Sequence, residues 1–184
     1  RLHATAFFLG GGIHGAKLGA SRAPPPPCTR PRRARRQPAG MPEGPSIVIL
    51  REEAEAFVGK RVLRVGGNTA VIEPERMLGR TVRDMRSWGK HFLMPFDDFT
   101  LRVHFMLFGS YAIDARKENR KERLSLGFAR GRELNFYACS VKYIEGDLDA
   151  VYDWSGDVMS PEWNPRAARK KLVAHPDMLA ADAL

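Results

Sequence analysis

Met41-Pro42-Glu43-Gly44-Pro45-Ser46, followed at once by the apolar run Ile47-Val48-Ile49-Leu50, is the stretch that decides how this 184-residue chain is read. Proline after methionine is where an aminopeptidase of the bacterial type removes the methionine and leaves a secondary amine as the first atom of the chain. Once free, that amine is a nucleophile. An acid stands beside it and a helix behind it. Ile47, Leu50, Ala54 and Phe57 recur at spacings of 3, 4 and 3, on one stripe, and Gly59 stands where a left-handed C-terminal cap belongs. A helix with one buried face holds its first turn in place. The positive end of its dipole disfavours an ammonium, and an unperturbed α-amino group titrates at about 7.7–8.0, so a modest depression frees the amine at neutral pH. The same residues also read as a Pro- and Gly-rich bend that caps a helix and does nothing more.

The formal net charge of +9 suggests a polyanionic partner until its placement is examined. Residues 1–40 hold eight of the 30 Lys and Arg and no acid, which leaves 22 basic against 21 acidic residues in 41–184. A basic tail precedes a nearly neutral domain, so overall charge says nothing about what the domain binds. The tail is rich in Gly, Pro and Arg, includes Pro24 to Pro27, and cannot bury enough apolar surface to offset its ordering entropy. It reads as a disordered leader outside the fold. Upstream sequence translated from a mistaken start is one origin and a transit-like segment another; the polyproline run, which breaks a targeting helix, favours the first. Cys28 and Cys139 are the only cysteines, so no disulfide framework or zinc knuckle can be assembled, and an intracellular, reducing compartment is expected. No apolar run approaches the roughly 18 residues of a membrane span, and no membrane partner is expected.

After the first helix the pattern shortens to strands. Arg61–Val65, Thr81–Trp88, His91–Phe96, Phe99–Phe105 and Ser110–Ile113 are rich in aromatic and β-branched residues, with turn chemistry at Trp88-Gly89-Lys90 and Asp97-Asp98. Two further runs, Arg123–Ala129 and Glu133–Ala138, flank Gly131. Glu73–Leu78 reads as one helical turn opened by Pro74, and Asn164-Pro165 opens a last helix, Arg166–Ala174. Consecutive hairpins imply an α+β fold dominated by an antiparallel β-sandwich with flanking helices.

Four stretches in this order carry a family resemblance: Met41 to Pro45; Trp88-Gly89-Lys90-His91-Phe92-Leu93; His104-Phe105-Met106-Leu107-Phe108-Gly109; and Gly156-Asp157-Val158-Met159-Ser160-Pro161. Together they closely resemble the N-terminal catalytic domain of the formamidopyrimidine-DNA glycosylase and endonuclease VIII family. The resemblance implies a bifunctional base-excision repair enzyme that removes oxidised bases from damaged double-stranded DNA and cleaves the strand by elimination. Pro42 would be the nucleophile that forms an iminium at the sugar C1′, Glu43 the acid at the opening sugar ring, and Lys90 the proton donor and phosphate contact of β-elimination. Met106, Leu107 and Phe108 fall where the family fills the gap left by the flipped base.

Each of these has a plainer reading. Lys90 also reads as a solvated lysine on a hairpin tip, Met106 to Phe108 as strand-end core, and His104 as a packed strand histidine. Ser46 stands where the family commonly has a second glutamate. The resemblance implies domain limits of 41–174, with 175–184 the truncated start of a helix–two-turn–helix domain. On the same grounds the structural zinc of the family's C-terminal finger is outside this chain, no cofactor is expected within it, and the protein is expected to be monomeric. While Met41 stays attached, the Pro42 nitrogen is a tertiary amide, and the chain as written is expected to be inactive. Two rivals remain: a non-catalytic remnant or DNA-binding fragment, and a tautomerase with an N-terminal proline, which has no need of the Gly89-Lys90 turn.

Overall fold

The computed structural model describes residues 42–178; the basic leader and the segment 179–184 lie outside the described residues. Helix α1, Gly44–Ala54, continues as a 3-10 turn over Glu55–Phe57, and Gly59 follows in the left-handed region at φ 74°. The stripe read from the sequence is the buried one: Ile47, Leu50, Ala54 and Phe57 are almost completely enclosed. At the start of α1, Ser46 Oγ accepts from the Glu43 backbone N–H at 2.8 Å and donates to the Glu43 carbonyl. Serine thus fills the place that a glutamate or glutamine takes in a capping box.

Six strands form one antiparallel sheet. They are β1 Arg64–Gly66, β2 Arg86–Trp88, β3 His91–Pro95, β4 Phe99–Ile113, β5 Leu124–Gly127 and β6 Glu133–Glu145, in the order β1-β5-β6-β4-β3-β2. The long strands β4 and β6 run through both halves of the sheet. The first half of β4 pairs with β3, to which β2 is added, and the first part of β6 pairs with β5, to which β1 is added. Both halves contribute to one core with α1, in which the Phe92 and Phe136 rings lie 5.8 Å apart, so the sheet folds over as the expected α+β arrangement requires. Helix α2, Pro165–Ala174, opens as expected, with Asn164 accepting from the Arg166 and Ala167 backbone N–H groups. No helix among the described residues is long and apolar enough to cross a membrane.

Several boundaries differ from the sequence reading: of Thr81–Trp88 only Arg86–Trp88 is strand, and the Arg61–Val65 strand is shifted to Arg64–Gly66, with Arg61 and Thr81 left as an isolated bridge. Phe99–Phe105 and Ser110–Ile113 are one strand, interrupted by a bulge: Phe105 pairs with Cys139 and Ser110 with Tyr137, so residues 106–109 stand opposite Ala138 alone. Strand β6 does not stop at Ala138 but continues to Glu145 along the first half of β4. The physical reason is local. Ala138 takes φ 46°, which turns the chain at the bulge and lets pairing resume beyond it.

Gly109 closes the bulge where no side chain fits. A Cβ there would lie 2.6 Å from Phe105 Cβ, 2.9 Å from the Met106 carbonyl oxygen and 3.0 Å from that of Ala138. Gly109→Ala is expected to cost about 1–3 kcal/mol, read as a lowered urea midpoint; an unchanged midpoint would show that the bulge relaxes freely.

Candidate active site

The corner where α1 begins is assembled from three segments. α1 packs on β2 and β3 through its buried stripe, which brings Glu43 to the hairpin between those strands. In that hairpin Trp88 pairs with His91, and Gly89 alone of the two central residues has a left-handed φ, 52°, the type II′ pattern for which glycine is suited. Lys90 therefore projects from a tight turn. Its Nζ lies 3.1 and 3.0 Å from the two carboxylate oxygens of Glu43, both side chains being about half exposed. Pro42, half-buried, precedes Glu43 directly.

The third segment fixes the turn from below. Asp157 is 6% exposed, and its carboxylate accepts from the Gly89 backbone N–H at 3.1 Å and from the Met159 backbone N–H at 3.0 Å. A Cβ on Gly44 would stand 3.5 Å from Met159 Cγ and 3.8 Å from the Gly89 carbonyl oxygen, so helix start, lysine turn and the 156–161 loop meet here. The role of Asp157 was not readable beforehand. A single aspartate after glycine signals a turn, and only its burial reveals which backbone it holds.

Beside Lys90 the second face of the sheet is aromatic. Tyr152 Oη and His91 Nδ1 share a 3.1 Å hydrogen bond, the Trp88 indole N–H donates to the Asp153 carbonyl, and the His91 and His104 rings meet edge-on at 5.2 Å. Burial, then the charges of Arg102, His104 and Lys142, push His91 down to about 4. Burial, Arg102 and Lys90 lower His104 likewise. His104 is half-buried against this cluster, and among the described residues no group of three or more His, Cys, Asp or Glu could hold a metal ion.

Met106, Leu107 and Phe108 occupy the bulge and are 55, 56 and 71% exposed, so they are not strand-end core. They lie two to four residues past His104, the ladder partner of His91, and hence on the Lys90 side of the sheet. The Arg120 guanidinium donates to the Phe108 carbonyl at 2.8 Å and holds the loop out. A cleft of about 510 Å³ opens beside it, lined by Met106, Phe108, Arg120, Arg123, Tyr137 and Cys139. The Cys139 thiol is pushed up to about 12 by burial and is not a thiolate at neutral pH.

Residues 41–139, over half of the chain, match the family model of the formamidopyrimidine-DNA glycosylase N-terminal domain. The chain belongs to that family. Its members are DNA glycosylases and abasic-site lyases of base excision repair. The DNA-(apurinic or apyrimidinic site) lyase Nei2 of Mycolicibacterium smegmatis is 26% identical over 148 residues, covering 78% of this chain and 59% of the relative. Fpg (MutM) of Lactococcus lactis, solved with DNA containing N7-benzyl-Fapy-dG, superposes with a TM-score of 0.53 at 23% identity, over 60% of this chain and 46% of that one. MutM solved with DNA containing carbocyclic 8-oxo-G gives 0.53 at 21% identity, over 60% and 48%. The likeness to these structures establishes the shared fold, and the chain spans about half of their length.

Two expectations follow. Asp157→Ala leaves two part-buried backbone N–H groups without their acceptor, at a cost of about 1 kcal/mol, and is expected to speed amide exchange at Gly89 more than in α2; equal protection at Gly89 would show that the turn holds itself. His91 titrates lower in the folded chain than its ordinary 6.5, so between about 6.5 and 4 the unfolded chain binds more protons. Its contribution is complete above about 6.5 and lost as pH falls, so the urea midpoint is expected to drop from pH 7 to pH 5 by less in His91→Gln than in the parent.

Proposed function

We propose that this domain carries the chemistry of a bifunctional DNA glycosylase and abasic-site lyase acting on oxidised bases or abasic sites in double-stranded DNA. The observation that supports this most directly is the Glu43–Lys90 contact at 3.0 Å, one residue from Pro42 at the head of a buried helix. Family membership supplies the reaction class; the residues below are the assignment proposed for this chain.

The Pro42 nitrogen, as a free secondary amine, bonds to C1′ of the damaged nucleotide. The bond from C1′ to the base breaks, and the base leaves with the electron pair and a proton, balanced by the proton that the proline nitrogen sheds. The C1′–O4′ bond opens as Glu43 gives a proton to O4′, and the nitrogen lone pair completes a C=N⁺ iminium. That cation is an electron sink, which acidifies C2′. Loss of the C2′ proton then breaks C3′–O3′ and expels the 3′ phosphate, with Lys90 as proton donor and phosphate contact. Met106, Leu107 and Phe108, exposed on their bulge, would enter the space vacated by the flipped base.

The same chemistry requires that nothing precede Pro42. With Met41 attached the nitrogen is an amide whose lone pair is delocalised. Borohydride trapping on abasic-site DNA at low salt is expected to give no adduct with residue 41 attached, and a covalent adduct with chain that starts at Pro42. Pro42→Ala is expected to lose it, and Lys90→Ala to slow elimination by at least tenfold while retaining some trapping. An adduct that persists in Pro42→Ala would assign the nucleophile elsewhere.

A further inference from the structure

The second face of the sheet carries a row of cations that the proposed reaction does not use. Arg86, Leu93, Arg102 and Lys142 are successive ladder partners across β2, β3, β4 and β6, so they stand side by side on one face. Two residues further along the strands, about 6.8 Å by the strand rise, the next row is Trp88-side His91, His104 and Ser140, beside Lys90.

The charges in this row are unevenly satisfied. Arg86 is paired with Asp84 and Asp149. Among the described residues Arg102 and Lys142 have no ion pair; the Arg102 guanidinium meets only the neutral Tyr152 hydroxyl, and its Nε is enclosed without a hydrogen-bond partner. Arg102 is half-buried and Lys142 exposed. Both depress His91, and no carboxylate opposes them there. A guanidinium taken partly out of water without a counter-charge is unfavourable, and an incoming anion offsets that cost. Side chains on directly opposed residues are about 5 Å apart at their Cβ atoms, close enough to converge on a single tetrahedral anion.

We infer that Arg102 and Lys142 together bind one backbone phosphate of the DNA strand, on the second face of the sheet next to the Lys90 turn. The inference rests on the proposed reading of the chain as a DNA-acting enzyme and adds a contact outside the reactive corner. Such a contact carries no sequence information; it sets the register of the strand against Pro42 and Lys90.

The test measures binding of the full chain to an abasic-site duplex by fluorescence anisotropy, with uncharged methylphosphonate linkages placed one at a time around the lesion. The parent is compared with Arg102→Gln, Lys142→Gln and Arg102→Lys, and the basic segment 1–40, common to all four, drops out of the differences. One linkage is expected to weaken the parent several-fold and to have no further effect on Arg102→Gln or Lys142→Gln, with Arg102→Lys retaining most of the coupling. The slope of log K against log salt is expected to fall by about 0.9 for the one phosphate lost, so each Gln variant loses roughly three- to four-fold less affinity than the parent between 50 and 200 mM salt. Lys142 is exposed, so Lys142→Gln reports even if Arg102→Gln folds poorly. If every linkage costs the variants what it costs the parent and the slope is unchanged, the inference is overturned while the proposed function stands. Residue-dependent competition by inorganic phosphate at matched ionic strength, with no linkage coupled, would assign the pair to free phosphate and overturn the DNA assignment. A parent chain that binds no duplex at any salt overturns both.

Discussion

Four residues of β4 face a single residue of β6, and the ladder resumes on either side because Gly109 has no side chain and Ala138 accepts a left-handed φ. A non-glycine residue in that region costs roughly 1–2 kcal/mol. The long paired stretches flanking the bulge hold the strain in place. Two consequences follow from this one constraint. The strands cross from one half of the sheet to the other, which lets Phe92 and Phe136 share a core. The excess length is expelled as Met106-Leu107-Phe108, the most exposed apolar group near the lysine turn. An apolar loop facing water is normally a liability; here the geometry of the sheet makes it unavoidable.

The reactive corner depends on different forces. A half-exposed ion pair such as Glu43–Lys90 contributes about 0–1 kcal/mol, too little to locate a helix against a hairpin. That location comes from the buried stripe of α1 and from the enclosed Asp157 carboxylate under Gly89. The division suits the proposed chemistry. Backbone positions are fixed by burial, while Glu43 and Lys90, the two side chains that must exchange partners during the reaction, are held only weakly. Lys90 can turn from Glu43 to a phosphate without breaking anything the fold requires.

Sequence and structure agree where a pattern is local. The α1 stripe, the Gly89 turn and the Asn164-Pro165 helix start each follow from a few neighbouring residues, and each is present. The pattern fails where a decision is made across the sheet. Phe105-Met106-Leu107-Phe108 is uniformly apolar and reads as a strand running into the core, yet the register of β6 forces its last three residues out. Cys139–Glu145 was not legible as strand because both of its faces are used: Val141 joins the main core, while Ile144 joins a second cluster with Leu93 and Tyr152, beside exposed Lys142. That double covering blurs a period of two. Asp157 and the Arg102–Lys142 pair have the same explanation, since their significance lies in partners distant in the chain.

Charge shows most clearly why position outweighs composition. Residues 41–184 are nearly neutral, and many of their ions cancel in contacts such as Arg76–Glu145, Arg116–Glu133 and Arg132–Asp114. Screening confines the remaining charges to a range of about 8–10 Å at moderate salt. A neutral total therefore neither excludes nor supports a polyanion. What matters is whether uncancelled cations share one small surface, and Arg102 and Lys142 do so beside buried histidines, one row from the Glu43-paired Lys90. A surface of this kind attracts a phosphate backbone only at short range. Long-range attraction would have to come from elsewhere in the protein, and the domain's own contribution is to choose which phosphate sits next to Pro42.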